Sequence, residues 1–297
     1  MAYNIVVLIK QVPDTKRITG DAMRDDGTVN RSALPAVFNP EDLHALEAAL
    51  ELKERYGGRV TVVTMGPPQA CEVLRESLER GADDVVLITD RRAAASDTLA
   101  TGYILSRAVR KLDERERVNL VVCGRQAIDG DTAQVPPQTA EKLGWPQVTY
   151  VECVEEVAGG RLRARRNTGE GAERVECPLP CLLTVTDQAP AARPPSAKRI
   201  MAVKKARSRA EIEREMPDPA QARARAEALQ ARGLLITQWD LDDIGADLAW
   251  CGRDGSPTKV KRIQSVVLKG SGFKKVEPTE EAIATMVHEL IEDHTIG

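Results

Sequence analysis

The chain has 297 residues and 42% apolar content, enough for one large or two modest domains with a real core. Its 42 basic and 45 acidic residues leave a formal charge of -3, so nothing points to a nucleic-acid partner. Apolar runs stay short of the roughly 18 residues a membrane span needs, which argues against direct membrane insertion.

The opening "MAYNIVVLIKQVPD" has neither a basic leader nor a small-residue cleavage site, and its apolar run reads as a buried first strand. With six scattered cysteines and no CxxC pair, this predicts reduced, partly buried thiols and a cytoplasmic location. "NPEDLHALEAALELKERYGG" carries Leu43, Leu46, Ala49, Leu50 and Leu52 at helical spacing, with Asn39 as cap, Pro40 in the first turn and Gly57-Gly58 at the close. "RVTVVTM" is a second strand, "PPQACEVLRESLERGADD" a second helix and "VVLITD" a third strand. "SDTLATGYILSRAVRKL" is a third helix, "NLVVCG" a fourth strand and "PPQTAEKLG" a shorter helix.

Strict succession of strand and helix predicts an α/β, Rossmann-like parallel sheet covered on both faces. From about Gln147, "QVTYVECVEEV", "GRLRARRNT", "AERVEC" and "CLLTVTD" are short and β-branched, and read as antiparallel additions. "QAPAARPPSAK" is a proline-rich connector. "KKARSRAEIEREM" and "DPAQARARAEALQARG" are charged helices, either solvated or packed on a partner. A long irregular stretch then precedes a last amphipathic helix, "TEEAIATMVHELIEDH", as in an arm that embraces another chain. The expected division is a nucleotide-binding α/β part over 1–190 and, over 191–297, a docking loop, charged helices and a C-terminal arm.

In such sheets ligands bind beyond the carboxyl ends of the strands, where strand order reverses. The loops to inspect are "KQVPDT", "TMGPPQ", "TDRRAAASDT" and "CGRQAIDGDTAQV". In the last, Pro136 and Pro137 fit only a helix's first turn, which leaves the amides of Thr132, Ala133, Gln134 and Val135 in a pre-helix loop. Such amides make an anion site, with Ala133 small enough for close approach and Gly130 allowing the turn. The competing reading has Asp129 and Asp131 as turn formers whose carboxylates bond those same amides. No dinucleotide fingerprint or P-loop decides between them.

"GRQAIDGDTAQVPPQTAEKLGWPQ" resembles the signature of the β subunit of electron transfer flavoproteins. "VLIKQVPDT", "NPEDLHALEAALELK", "VTVVTMGPPQA", "SDTLATGY", "RRNTGEGAERVECPLPCLL" and "DGSPTKVKR" are similar to family segments in the expected order. The resemblance implies an adenine nucleotide α-hydrolase-like fold, an α-subunit partner and a nucleotide in the loops above. In ordinary members that nucleotide is a structural AMP; in the electron-bifurcating branch it is an FAD that accepts hydride from NADH. "DGDTAQV" resembles the bifurcating branch, and "MGPPQA" and "GSPTKV" lean the same way.

Carried over, Asp129, Asp131, Thr132, Ala133, Gln134 and Val135 would hold the phosphates, and Gly124 would belong to the same cofactor-binding set. Leu8 and Lys10 would line the adenosine or phosphate side, Asn39, Met65 and Gly66 would flank the adenosine, and Thr98 and Thr101 would face the ribityl or pyrophosphate portion. Electrons would pass to the α-subunit flavin, serving an acyl-CoA dehydrogenase or quinone-linked acceptor, and to ferredoxin or flavodoxin. The protein itself would be a carrier subunit without a catalytic side chain.

Two positions depart from the family pattern: Pro137 stands where glycine is frequent, and Ala197 where the docking loop usually presents a bulky apolar side chain. His44, His288 and His294 are scattered and argue against a metal site or triad, and Trp145, Trp239 and Trp250 read as core or interface anchors. Arg166 and Glu173 match a family strand motif and suggest an ion pair between strands or across the subunit boundary.

Overall fold

A computed structural model gives the fold and describes residues 2–14, 35–259 and 275–292. The first strand, β1 (Tyr3–Ile9), is followed by a small antiparallel pair, β2 (Gln11–Pro13) with β3 (Ala36–Phe38). Helix α1 (Pro40–Tyr56) leads to β4 (Gly58–Met65), α2 (Cys71–Arg80) to β5 (Asp84–Ile88), and α3 (Thr98–Arg115) to β6 (Leu120–Gly124). After α4 (Val135–Leu143) come β7 (Gln147–Ala158), β8 (Arg161–Asn167), β9 (Ala172–Pro178) and β10 (Cys181–Val185). Then follow α5 (Ala197–Val203), α6 (Arg209–Glu215), α7 (Pro219–Gln230), β11 (Thr237–Trp239), α8 (Gly252–Gly255) and α9 (Glu280–Glu292).

Nine strands form one sheet in the order β11-β5-β4-β1-β6-β10-β7-β8-β9. All neighbours from β11 to β7 are parallel, and only β7-β8 and β8-β9 are antiparallel. The predicted Rossmann-like class is the one observed. Side-chain alternation along β1 sends Ile5, Val7 and Ile9 into the core beneath α1 and α2, and Val6 and Leu8 into the core beneath α3 and α4. Each fully buried Leu or Ile on these faces contributes roughly 1.5–3 kcal/mol. The two layers are what hold the strand ends, and hence the loops, in place.

Two expectations change. "CLLTVTD" is not an antiparallel addition: β10 lies between β6 and β7, parallel to both, and each of its residues is buried. A run without polar alternation is what a strand covered on both faces requires. The charged helices α6 and α7 are not merely solvated: Ile212, Ala222 and Leu229 reach this chain's own core and Glu211 pairs with Arg75 at 2.9 Å. Strand β11 then caps the sheet beside β5, with Trp239 buried in the core.

The proline-rich connector is bolted down by Arg193, whose guanidinium binds Glu47 and Glu54 of α1 and whose carbonyl accepts from Arg80 of α2. Arg166 pairs with Glu173 across β8 and β9 at 3.4 Å, so that pair lies within this chain. Of the cysteines, all free, only Cys153 is exposed. Ala197 opens α5, a helix with no buried residue, and the large apolar side chain it offers to solvent is Met201, 66% exposed. Trp250 is also exposed, whereas α9 leaves Ile283, Val287 and Ile291 in solvent. His294 and the irregular stretch over residues 260–274, which includes the end of "DGSPTKVKR", lie outside the described residues.

Candidate functional site

Successive parallel strands run from β1 to β4 to β5 on one side, and the chain then returns to place β6 on the other side of β1. Strand order therefore reverses between β1 and β6, and the carboxyl ends of these two strands are where such a sheet places its ligand crevice. Of the candidate residues, Leu8 and Lys10 stand at the end of β1, Met65 and Gly66 at the end of β4, and Gly124 at the end of β6. Asn39 precedes α1, and Thr98 and Thr101 occupy the first turn of α3. Asp129 to Gln134 form the loop after β6, and Val135 begins α4.

Side-chain contacts join several of these elements. Lys10 Nζ binds both carboxylate oxygens of Asp129 at 2.8 Å, tying β1 to the loop. Thr98 Oγ1 donates to Gln134 Oε1 at 3.0 Å, tying α3 to the start of α4. Asn39 does not cap α1 with its side chain. Its fully buried carboxamide donates to Gln126 O at 2.8 Å and accepts from Ile128 N at 3.1 Å, pairing with the loop as a peptide would. Leu8 is buried in the core, and Gly66 N donates to Ile88 O, so these two act through the backbone frame rather than by an exposed side chain. No described hydrogen bond links Met65 or Thr101 to the loop.

The loop itself is strained. Asp131 and Ala133 have φ of 47° and 52°, a left-handed conformation unusual for residues with a Cβ and worth of order 1 kcal/mol each. Gly130, expected to provide the turn, has no positive φ; the unusual conformation falls on its neighbours. Gly130 N and Asp131 N both donate to Ala127 O. The amides of Thr132, Ala133, Gln134 and Val135 bond nothing among the described residues, and α4 has no side-chain cap.

The aspartates do not plug them. Asp129 is held by Lys10, and Asp131 accepts from Gln126 Nε2 at 3.1 Å. Four unpaired donors thus stand at the positive end of α4, with Thr98 and Gln134 beside them. That arrangement suits a phosphate or diphosphate group.

Sequence reading missed the acids of the first turn of α1. Glu41 accepts from Gln126 N and pairs with Arg125 at 2.6 Å. Asp42 accepts from Lys10 N at 2.7 Å and Gly124 N at 3.0 Å. Burial pushes the Asp42 carboxyl up to about 7, against the pull of those two amides. The sequence signal was only a pair of acids behind a first-turn proline, which ordinarily marks a solvated helix start.

A second missed residue is Asp97, the N-cap of α3. Burial favours its protonated form, but the Ala100 amide and the hydroxyl and amide of Thr258 outweigh this and hold it below the ordinary carboxylate value. Thr258 thereby ties the segment after α8 to the helix that bears Thr98.

The electron transfer flavoprotein domain profile matches residues 26–214. The chain is 43% identical over 293 residues to the electron transfer flavoprotein subunit beta of Clostridium acetobutylicum, covering 99% of this chain and 100% of that one. This chain belongs to the electron transfer flavoprotein family, among its β subunits. Family relatives also include the protein FixA of Bradyrhizobium diazoefficiens, 39% identical with 95% and 89% of the two chains covered. Another is the caffeyl-CoA reductase-Etf complex subunit CarD of Acetobacterium woodii, 39% identical with 98% and 99% covered. The family's task is electron transfer, and no helix described here is long and apolar enough to cross a membrane.

Proposed function

We propose that this chain is the β subunit of a heterodimeric, electron-bifurcating flavoprotein, and that the crevice between β1 and β6 holds an FAD. The observation that carries this reading is the row of four unpaired amides at Thr132, Ala133, Gln134 and Val135, held in a strained loop whose acids are already engaged. Those amides, with Thr98 and Gln134, fit a diphosphate; Lys10 keeps Asp129 neutralised beside it. Met65, Gly66 and the ends of β1 and β4 would bound the adenosine side, and Thr101 the ribityl side. When bound, the FAD would supply the redox chemistry, taking hydride from NADH and releasing single electrons toward the α-subunit flavin and toward ferredoxin or flavodoxin.

The chain's own residues bind, orient and shield; none is needed as a proton donor or nucleophile. Relatives named for caffeyl-CoA reductase and acryloyl-CoA reductase support a CoA-thioester oxidoreductase of the acyl-CoA dehydrogenase kind as the docked partner, with a quinone-linked acceptor as the other candidate. Residues 191–297 would provide the docking loop, where Met201 offers the apolar contact that Ala197 lacks, and the arm around the α subunit. A cytoplasmic setting belongs to the same reading.

The test is to co-express the chain with its α subunit, release the bound nucleotides from the purified complex and identify them by mass. Two FAD per heterodimer, with flavin bleaching on addition of NADH, is the expected result. One FAD and one AMP would make this chain the AMP-holding carrier and remove bifurcation. Nucleotide confined to the α subunit would defeat the assignment of the crevice.

A further inference from the structure

At the strand switch β1 and β6 stop pairing, and one buried carboxylate stands at that point. Their ladder runs from Ile5 opposite Leu120 to Leu8 opposite Cys123. Beyond it the amides of Lys10 and Gly124 turn to Asp42, one to each carboxylate oxygen. Asp42 sits in the first turn of α1 and is 5% exposed. Gly124 is glycine where the first turn of α1 comes this close: a Cβ there would run into Asp42 Oδ1 and stand 2.8 Å from both Asp42 N and the Glu41 carbonyl carbon.

The same turn of α1 takes hold of the next residues of the loop through Glu41 and Asn39, at Gln126 N, Gln126 O and Ile128 N. The charged and titratable groups around Asp42 are Glu41 on its own helix and Cys123 on β6, while the Lys10 side chain reaches away to Asp129. A single acceptor thus holds two strand ends at the span of one carboxylate, and the loop that bears the unpaired amides departs from one of them.

Building on the nucleotide reading above, we propose that Asp42 is a positioning residue for the bound nucleotide, holding the ends of β1 and β6 apart so that residues 129–135 present their amides at the spacing a diphosphate needs. It touches no ligand. Ionised, its carboxylate has two acceptor oxygens and takes both strand amides, with the Asn39 side chain beside them; an Asp42→Asn side chain has one acceptor and would set its amino group against the other strand donor. The strand ends then close or twist, and the loop moves with them.

The experiment uses the full chain in complex with its α subunit, depleted of nucleotide and titrated with FAD and separately with AMP. Asp42→Asn and Gly124→Ala should each weaken uptake by about 10- to 100-fold, the scale of second-layer losses at other preorganised sites. The visible circular dichroism of bound FAD, which reports its seating, should change as well.

Asp83→Asn is the control, because Asp83 also accepts a strand amide, Val60 N at 2.9 Å, and binds Lys53 at 2.6 Å, but at the amino end of the sheet. It should lose stability while its nucleotide affinity stays within about twofold of the unsubstituted complex. The proposal is overturned if the folded Asp42→Asn and Gly124→Ala complexes bind as the unsubstituted one does, or if Asp83→Asn loses as much affinity. Should Asp42→Asn fail to fold, Gly124→Ala decides. An unsubstituted complex that takes up neither nucleotide would bring down the reading of the crevice itself, and this inference with it.

Discussion

Asp42 couples the site to pH. Its carboxyl ordinarily ionises at 3.8 but is pushed up to about 7 by burial in the folded chain. Between those values the unfolded chain has given up the proton while the folded one keeps it, so this group's contribution to stability falls as pH rises, by a few kcal/mol in all. The urea midpoint should therefore drop over that window in the unsubstituted protein, and the drop should be shallower in Asp42→Asn. An equal slope in both would assign the effect to other groups. Lys10 and Asp129 form a half-exposed pair, so its loss changes stability by about 1 kcal/mol or less. Its electrostatic role at the cradle is larger: Lys10→Met, leaving Asp129 unpaired, should weaken nucleotide binding about tenfold at low salt and less at high salt. Asp129→Asn should bind no worse than the unsubstituted chain, and titrations at two ionic strengths compare the pair.

At the scale of elements, the site depends on how closely α3 and α4 pack. Gly102 of α3 faces α4, where a Cβ would stand 3.1 Å from Gln138 Cβ and 3.2 Å from Thr139 N. Gly102→Val should overpack this contact, lower stability by about 1–3 kcal/mol in urea and separate Thr98 from Gln134, with a loss of nucleotide affinity. Ser208, by contrast, closes a buried capping box with Glu211 on α6, and no described hydrogen bond of either residue reaches the loop over residues 124–135. Ser208→Ala should cost about 1–2 kcal/mol with affinity unchanged, measured by the same two assays. Most elements were legible from local pattern: Pro136 and Pro137 set the start of α4, and the apolar run "YNIVVLI" marked β1. The strand β10 reads as antiparallel because β7 and β8, which precede it in the chain, alternate, and nothing local in "CLLTV" says that its partners are β6 and β7.

Across the whole molecule, the nucleotide should behave as a structural part. A ligand that binds only the folded state stabilises it by about 2.7 kcal/mol at 100 times its dissociation constant, which for a chain of this size raises the melting temperature by several degrees. Heating the complex with and without added FAD measures this, and an unchanged transition would count against a site in the crevice. The strand switch that creates the crevice belongs to this scale, since it arises from the order β5-β4-β1-β6 and from no single segment.

From its residues alone, the chain determined its alternating elements, the parallel-sheet class they build and the proline-limited loop with its uncommitted amides, because apolar period, proline geometry and helix ends are local physics. The roles of Asn39, Glu41 and Asp42, the strain at Asp131 and Ala133, and the place of β10 were decided only by the fold. A carboxylate is written the same way in sequence whether it meets water or two strand amides; which one it meets depends on elements as far as 82 residues away, brought together by burial.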